Sequence, residues 1–120
     1  MVPVGYILID GGKHSAVERV SGTEPIKSTD IELAVNTAYA GQLLGMQYIY
    51  LEAGSGATNP VPLQMISAVK SALSIPLIVG GGIRTPEALQ SAYTAGADIV
   101  VIGNALESNP ELYHKFKSLL

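Results

Sequence analysis

The stretch Ile75-Pro76-Leu77-Ile78-Val79-Gly80-Gly81-Gly82-Ile83-Arg84-Thr85-Pro86-Glu87 holds a short apolar run, a glycine turn and a helix start in direct succession. An unbroken apolar run of this length, without polar alternation, is the pattern of a parallel strand buried on both faces. Thr85-Pro86-Glu87 suits a helix N-terminus, with Pro at the first helical position and Gly96 placed to stop the helix. The same sequence of signals recurs in both directions along the chain. Gly5–Asp10, Gln47–Glu52 and Asp98–Gly103 are further apolar runs with β-branched or aromatic residues. Thr29-Asp30-Ile31-Glu32 reads as a capping box with Thr29 at the N-cap, opening an Ala- and Leu-rich helix that runs to Leu44 and ends at Gly45. Asn59-Pro60 or Val61-Pro62 opens a second helix to about Leu73, and Asn109-Pro110-Glu111 opens a last one. Strand and helix therefore alternate four times, which predicts crossover units in a parallel sheet. The stretch Gly11–Ser28, carrying Lys13, His14, Glu18, Arg19 and Lys27, is the long exception and reads as a flap over a site.

Four units fit two architectures. A closed TIM (β/α)8 barrel takes eight units and about 250 residues, so a chain of 120 would be half of one. An open four-stranded parallel sheet is the other solution. Either leaves strand edges that invite another chain. In a half barrel, Ile7, Ile9, Tyr48, Ile78 and Val100 are expected on the uncovered face, and the isolated chain is expected to self-associate.

Composition removes several function classes. With 48% apolar and 14% charged residues the chain has the material for a packed core, and disorder is excluded. No cysteine means no disulfide framework and no thiolate metal site. A net charge of -3 with 7 Lys and Arg argues against nucleic acid, which wants a dense basic face. No apolar run reaches the roughly 18–20 residues of a membrane span. The opening Met1–Gly5 lacks the basic start of a secretory signal, so a cytoplasmic protein is expected.

Three glycine-bearing turns lie just past strand ends, where parallel α/β folds bind ligands. They are Tyr50-Leu51-Glu52-Ala53-Gly54-Ser55-Gly56, Gly80-Gly81-Gly82-Ile83-Arg84 and Gly103-Asn104-Ala105. Glycine lets several backbone N–H groups close on a phosphate, and the helices that follow add a dipole favouring an anion. A single such turn is equally well a tight connection; two in the last two units match the phosphate site of eight-fold barrels. Glu52 ends its strand and can accept a substrate hydroxyl or act as a general base, against the plain reading of a solvated carboxylate. Tyr48 and Tyr50 share its face by the period of two, Tyr48 for core packing and Tyr50 within reach of a ligand. Asp10 reads as structural rather than catalytic, and Arg84 fits a phosphate or a surface ion pair equally. His14 and His114 have no partner at metal or triad spacing, and Asp98 opens its strand on the opposite, stability side. No metal ligands are assigned.

Those three turns, with Val4–Gly12 and Thr23–Ile26, resemble the geranylgeranylglyceryl phosphate synthases and their bacterial relatives. The likeness covers nearly the whole chain, and Tyr50–Gly56 is its most specific part. It implies the C-terminal half of a TIM-barrel synthase, strands five to eight, with residues 1–120 as one half-barrel domain. The implied activity is a prenyltransferase of ether-lipid and phospholipid biosynthesis, joining sn-glycerol 1-phosphate to geranylgeranyl or another polyprenyl diphosphate with release of diphosphate. The resemblance assigns glycerol 1-phosphate binding to Tyr50, Leu51, Glu52, Ala53, Gly54, Ser55, Gly56, Gly81, Gly82, Gly103 and Asn104, with Glu52 catalytic. It also implies Mg²⁺, whose acidic ligands belong to the first half of the family's barrel and not to this chain. No turnover is expected from these residues alone. A phosphosugar isomerase or thiamine-phosphate-synthase-like barrel shares the glycine turns but leaves Tyr50–Gly56 unexplained, and a self-associating, non-catalytic half barrel is the third reading.

Overall fold

A computed structural model describes residues 2–12, 24–54 and 56–102. Within them the chain runs β1 (Val4–Leu8), α1 (Ile31–Leu43), β2 (Tyr48–Glu52), α2 (Leu63–Ala72), β3 (Leu77–Gly80), α3 (Pro86–Ala95) and β4 (Ile99–Val101). The four strands form one parallel sheet in chain order. The turn Gly103–Ala105, Ser55, His14, His114 and the helix expected from Asn109 lie outside the described residues, as does most of the Gly11–Ser28 stretch.

Local chemistry explains the helix ends. The cap of α1 is Asp30, not Thr29: Asp30 Oδ1 accepts from Leu33 N at 3.2 Å. Both residue types cap well, and the structure selects the one a single position later, leaving Glu32 in the first turn. Thr85 caps α3 as expected, Oγ1 accepting from Ala88 N at 3.0 Å, with Pro86 opening the helix and Gly96 closing it. For α2 the second of the two candidate starts holds, with Pro62 at the N-cap position.

Strand parity decides what is buried. Ile7, Ile49, Leu51, Leu77 and Val79 point into a core closed by Ala34 and Ala38 of α1 and Met65, Ile66 and Val69 of α2. The small Ala34 and Ala38, both fully buried, bring α1 close onto the sheet. Among the described residues, no helix covers the opposite row. Tyr6 (61%), Ile99 (42%), Val101 (41%) and Val4 (39%) are exposed there. The expected uncovered face is thus corrected for three residues. Ile7 and Ile9 are buried, and Val100 packs against the core, because each is one position out of phase with the open row. Tyr48 and Ile78 do lie on the open row, half-buried, so Tyr48 is not part of the helix-covered core.

The rim opposite the site is pinned by Asp98. Its Oδ2 accepts from Lys70 Nζ at 2.7 Å and from Leu77 N at 2.8 Å, joining α2, β3 and the start of β4. The Lys70 ammonium, then the Leu77 N–H, hold its carboxyl below the ordinary value against a smaller opposing effect of burial. This is the structural role expected of a residue at the strand N-terminal face.

Candidate functional site

The register brings one residue of each strand end side by side: Leu8, Glu52, Gly80 and Val101. Glu52 is the last residue of β2 and points to the open face. Its two oxygens are held separately, Oε1 by Gly54 N at 2.8 Å and Oε2 by the Tyr6 hydroxyl at 3.2 Å. Each carboxylate oxygen has a second lone pair, so a carboxylate oriented in this way still accepts from a ligand hydroxyl.

Two tyrosines flank it. The Tyr6 and Tyr50 rings stack with centroids 4.6 Å apart and 25° between planes. Tyr50 fits because position 80 is glycine: a Cβ there would stand 2.6 Å from the Tyr50 hydroxyl. Burial, then the Glu52 carboxylate, push both phenols above their ordinary value, Tyr50 further than Tyr6. Both hydroxyls therefore stay protonated at neutral pH; that of Tyr6 donates to Glu52, and that of Tyr50 is available as a donor.

The loops past β1, β2 and β3 interlock. Asp10 Oδ1 accepts from Gly12 N at 2.9 Å, and the Gly11 carbonyl accepts from Asn59 N at 3.0 Å. Asp10 thus orders the turn that follows β1. Ala53 N donates to the Gly80 carbonyl at 2.9 Å. Arg84 Nη2 donates to the Ala57 carbonyl at 2.6 Å, so the guanidinium braces the β2–α2 loop. Gly81, at φ +89°, sits so close to Gly54 that a Cβ would meet its carbonyl oxygen at 2.7 Å and its nitrogen at 2.8 Å.

Of the residues assigned from sequence, Tyr50, Glu52, Gly54, Gly81 and Gly82 gather at this rim, and Gly56 lies exposed in the same loop. Leu51 and Ala53 turn their side chains into the core, so only their backbone can serve a ligand. Ser55, Gly103 and Asn104 fall outside the described residues. Sequence reasoning missed Tyr6. The period of two puts it in phase with Val4 and Leu8, but only the β1–β2 register shows it beside Tyr50.

The donor set does not fit a metal centre. Among the described residues no three of His, Cys, Asp and Glu come together. A groove of about 420 Å³ between α2 and α3, lined by residues such as Leu63, Ser67, Gln90 and Thr94, lies in the helical layer and not at the strand ends.

Comparison with known families decides the kinship. The PcrB family matches residues 1–119. The chain belongs to the PcrB family. Among curated PcrB relatives, geranylgeranylglyceryl phosphate synthase of Zunongwangia profunda is 59% identical over 90% of this chain and 46% of its own length. The synthase of the same name from Thermococcus kodakarensis is 49% identical over 88% of this chain and 41% of its own. In structure, this PcrB chain is similar to wild-type GGGPS from Thermoplasma volcanium (TM-score 0.87, 41% identity, 98% of this chain and 47% of that one). It is equally similar to (S)-3-O-geranylgeranylglyceryl phosphate synthase from Thermoplasma acidophilum in complex with its substrate sn-glycerol-1-phosphate (TM-score 0.87, 39% identity, 96% and 46%). The chain spans about half the length of the curated relatives it matches. Its four-stranded sheet is half a barrel, not a free-standing open sheet.

Proposed function

We propose that this chain is the glycerol-phosphate-binding, C-terminal half of a cytoplasmic prenyltransferase that joins a geranylgeranyl or other polyprenyl group to sn-glycerol 1-phosphate. The observation that carries the reading is Glu52, fixed from both sides at a strand end and packed against the Gly81 turn. A glycerol hydroxyl donates to Glu52 while the backbone N–H groups of the glycine turns face the phosphate, a division of labour that suits glycerol phosphate. The similar Thermoplasma acidophilum structure, which holds that ligand, supports the assignment.

In the reaction the glycerol hydroxyl oxygen attacks the prenyl C1. The C–O bond to diphosphate breaks, diphosphate leaves with its electron pair, and the hydroxyl proton passes to Glu52. Mg²⁺, which would neutralise the departing diphosphate, belongs in this proposal to residues outside the chain. What these residues contribute is binding of the acceptor and removal of its proton.

A phosphosugar isomerase would use similar turns, but the relatives' names favour prenyl transfer. The open row of Val4, Tyr6, Ile99 and Val101 supports one more element: a second four-stranded unit covers it, either the N-terminal half of a synthase or, in isolation, a second copy.

The test is complementation. Co-produced with the N-terminal half of the Zunongwangia relative, the chain should convert labelled geranylgeranyl diphosphate and sn-glycerol 1-phosphate into an extractable ether, and Glu52→Gln should abolish it. A folded, stable pair that gives no ether refutes the reading.

A further inference from the structure

We infer that Tyr6 is a positioning residue for Glu52 and sets how selectively this site takes a polyol phosphate over bare phosphate; this rests on the function proposed above. Three observations converge. The Tyr6 hydroxyl donates to Glu52 Oε2, the oxygen that Gly54 N leaves free. The Tyr6 ring is stacked on Tyr50, which fixes the direction from which the hydroxyl reaches the carboxylate. Position 80 is clear of any side chain, so Tyr50 can keep the place that the stack requires.

Glu52 projects from a strand end, where a carboxylate has several torsions free. Gly54 N alone fixes one oxygen and leaves the group free to swing about it. A second donor, from a different strand, removes that freedom and aims the remaining lone pairs in one direction. Ordering before binding is what raises affinity for a hydroxyl-bearing ligand, since the carboxylate no longer loses that freedom on contact. Inorganic phosphate gains nothing from it, because it is held by the glycine turns and repelled by a carboxylate.

The burial of Tyr6 is slight, with 61% of its surface exposed, so removal of the hydroxyl leaves no cavity. Tyr6→Phe keeps the stack and deletes only the hydrogen bond, while Tyr6→Leu deletes both.

The isolated chain is titrated with sn-glycerol 1-phosphate and, separately, with inorganic phosphate, following the Gly54 and Gly81 amide resonances. Tyr6→Phe should weaken glycerol 1-phosphate about five- to tenfold, the net effect of one ordinary, solvent-exposed hydrogen bond, and leave inorganic phosphate within about twofold. Tyr6→Leu should lose at least as much on the glycerol ligand. Equal weakening of both ligands would mean a structural role, and unchanged binding of both would mean no role; either overturns the inference. If the unaltered chain binds inorganic phosphate but shows no preference for glycerol 1-phosphate, the proposed function fails first and this inference with it.

Discussion

The contact between Gly81 and Gly54 is the tightest joint between the two glycine turns, and a methyl group placed there should separate them. Gly81→Ala carries two costs. The first is backbone strain at φ +89°, about 1–2 kcal/mol for an L residue in this region. The second is overlap with the Gly54 carbonyl at 2.7 Å, the Gly54 nitrogen at 2.8 Å and Glu52 Oε1 at 2.9 Å. Two of those three atoms are backbone and cannot rotate away, so relief requires a shift of the loop, at about 1–3 kcal/mol by the cost of overpacking. Gly45 provides the reference. It has φ +100°, and nothing lies within 4 Å of the Cβ it would acquire, so Gly45→Ala carries the strain alone. The difference between the variants is then the overlap, about 1–3 kcal/mol by the same overpacking cost. Urea unfolding of both variants measures it. The Gly54 amide resonance, which reports the bond to Glu52 Oε1, should move in Gly81→Ala and stay in Gly45→Ala. Equal destabilisation within about 0.5 kcal/mol, the usual noise of independent substitutions, would refute the interlock.

Asp98 offers a pH test. Its folded pKa is depressed, so its contribution is present above the ordinary aspartate value near 3.9 and is lost as pH falls through the lower folded value. The Lys70–Asp98 pair is partly exposed, so Asp98→Asn should cost only about 0.5–1 kcal/mol at pH 7. Denaturant unfolding at pH 3 should show the gap narrowing, and a gap that widens would contradict the assignment. The open row predicts self-association: sedimentation at tens of micromolar should find the isolated chain as a dimer or larger, and Val101→Glu should shift it towards monomer. Leu44→Lys, at an exposed site in the helical layer, should change nothing. A monomeric parent chain, or one dissociated by Leu44→Lys alone, would locate the surface elsewhere.

Most of the fold was legible because its signals are local. Thr85-Pro86 and Gly96 bracket α3 through interactions within one turn of the chain. Gly45, just past α1, likewise follows from the φ it adopts. The Asp30 cap lies one residue past the expected one because the Thr29–Glu32 capping-box spacing favours Thr29, whereas Asp is the better N-cap residue by propensity. Asp98 could be placed at the stability face from strand direction alone, although its partner Lys70 is 28 residues away and left no trace in the sequence.

Parity was the harder question, and it governs the site. A strand buried on both faces is apolar at every position, so hydrophobicity carries no information about which residues face the helices. Ile7, Ile9 and Val100 therefore read from sequence as open-face residues, whereas they lie on the helix-covered face. In β2 the polar Glu52 breaks the degeneracy: a carboxylate is expensive beneath the helices, which sends Glu52, and with it Tyr50 and Tyr48, to the open row. Asp10, at the end of the run that holds β1, carries the same signal for Leu8 and Tyr6, but it says nothing of which strand lies beside them. Tyr6 joins the site only because hydrogen bonding aligns it with Tyr50, a pairing set by two segments more than forty residues apart in sequence. The residues of a barrel rim readable from one chain segment are therefore those whose own chemistry fixes their parity. Those that depend on register with a neighbouring strand, as Tyr6 does, become visible only when the strands are laid side by side.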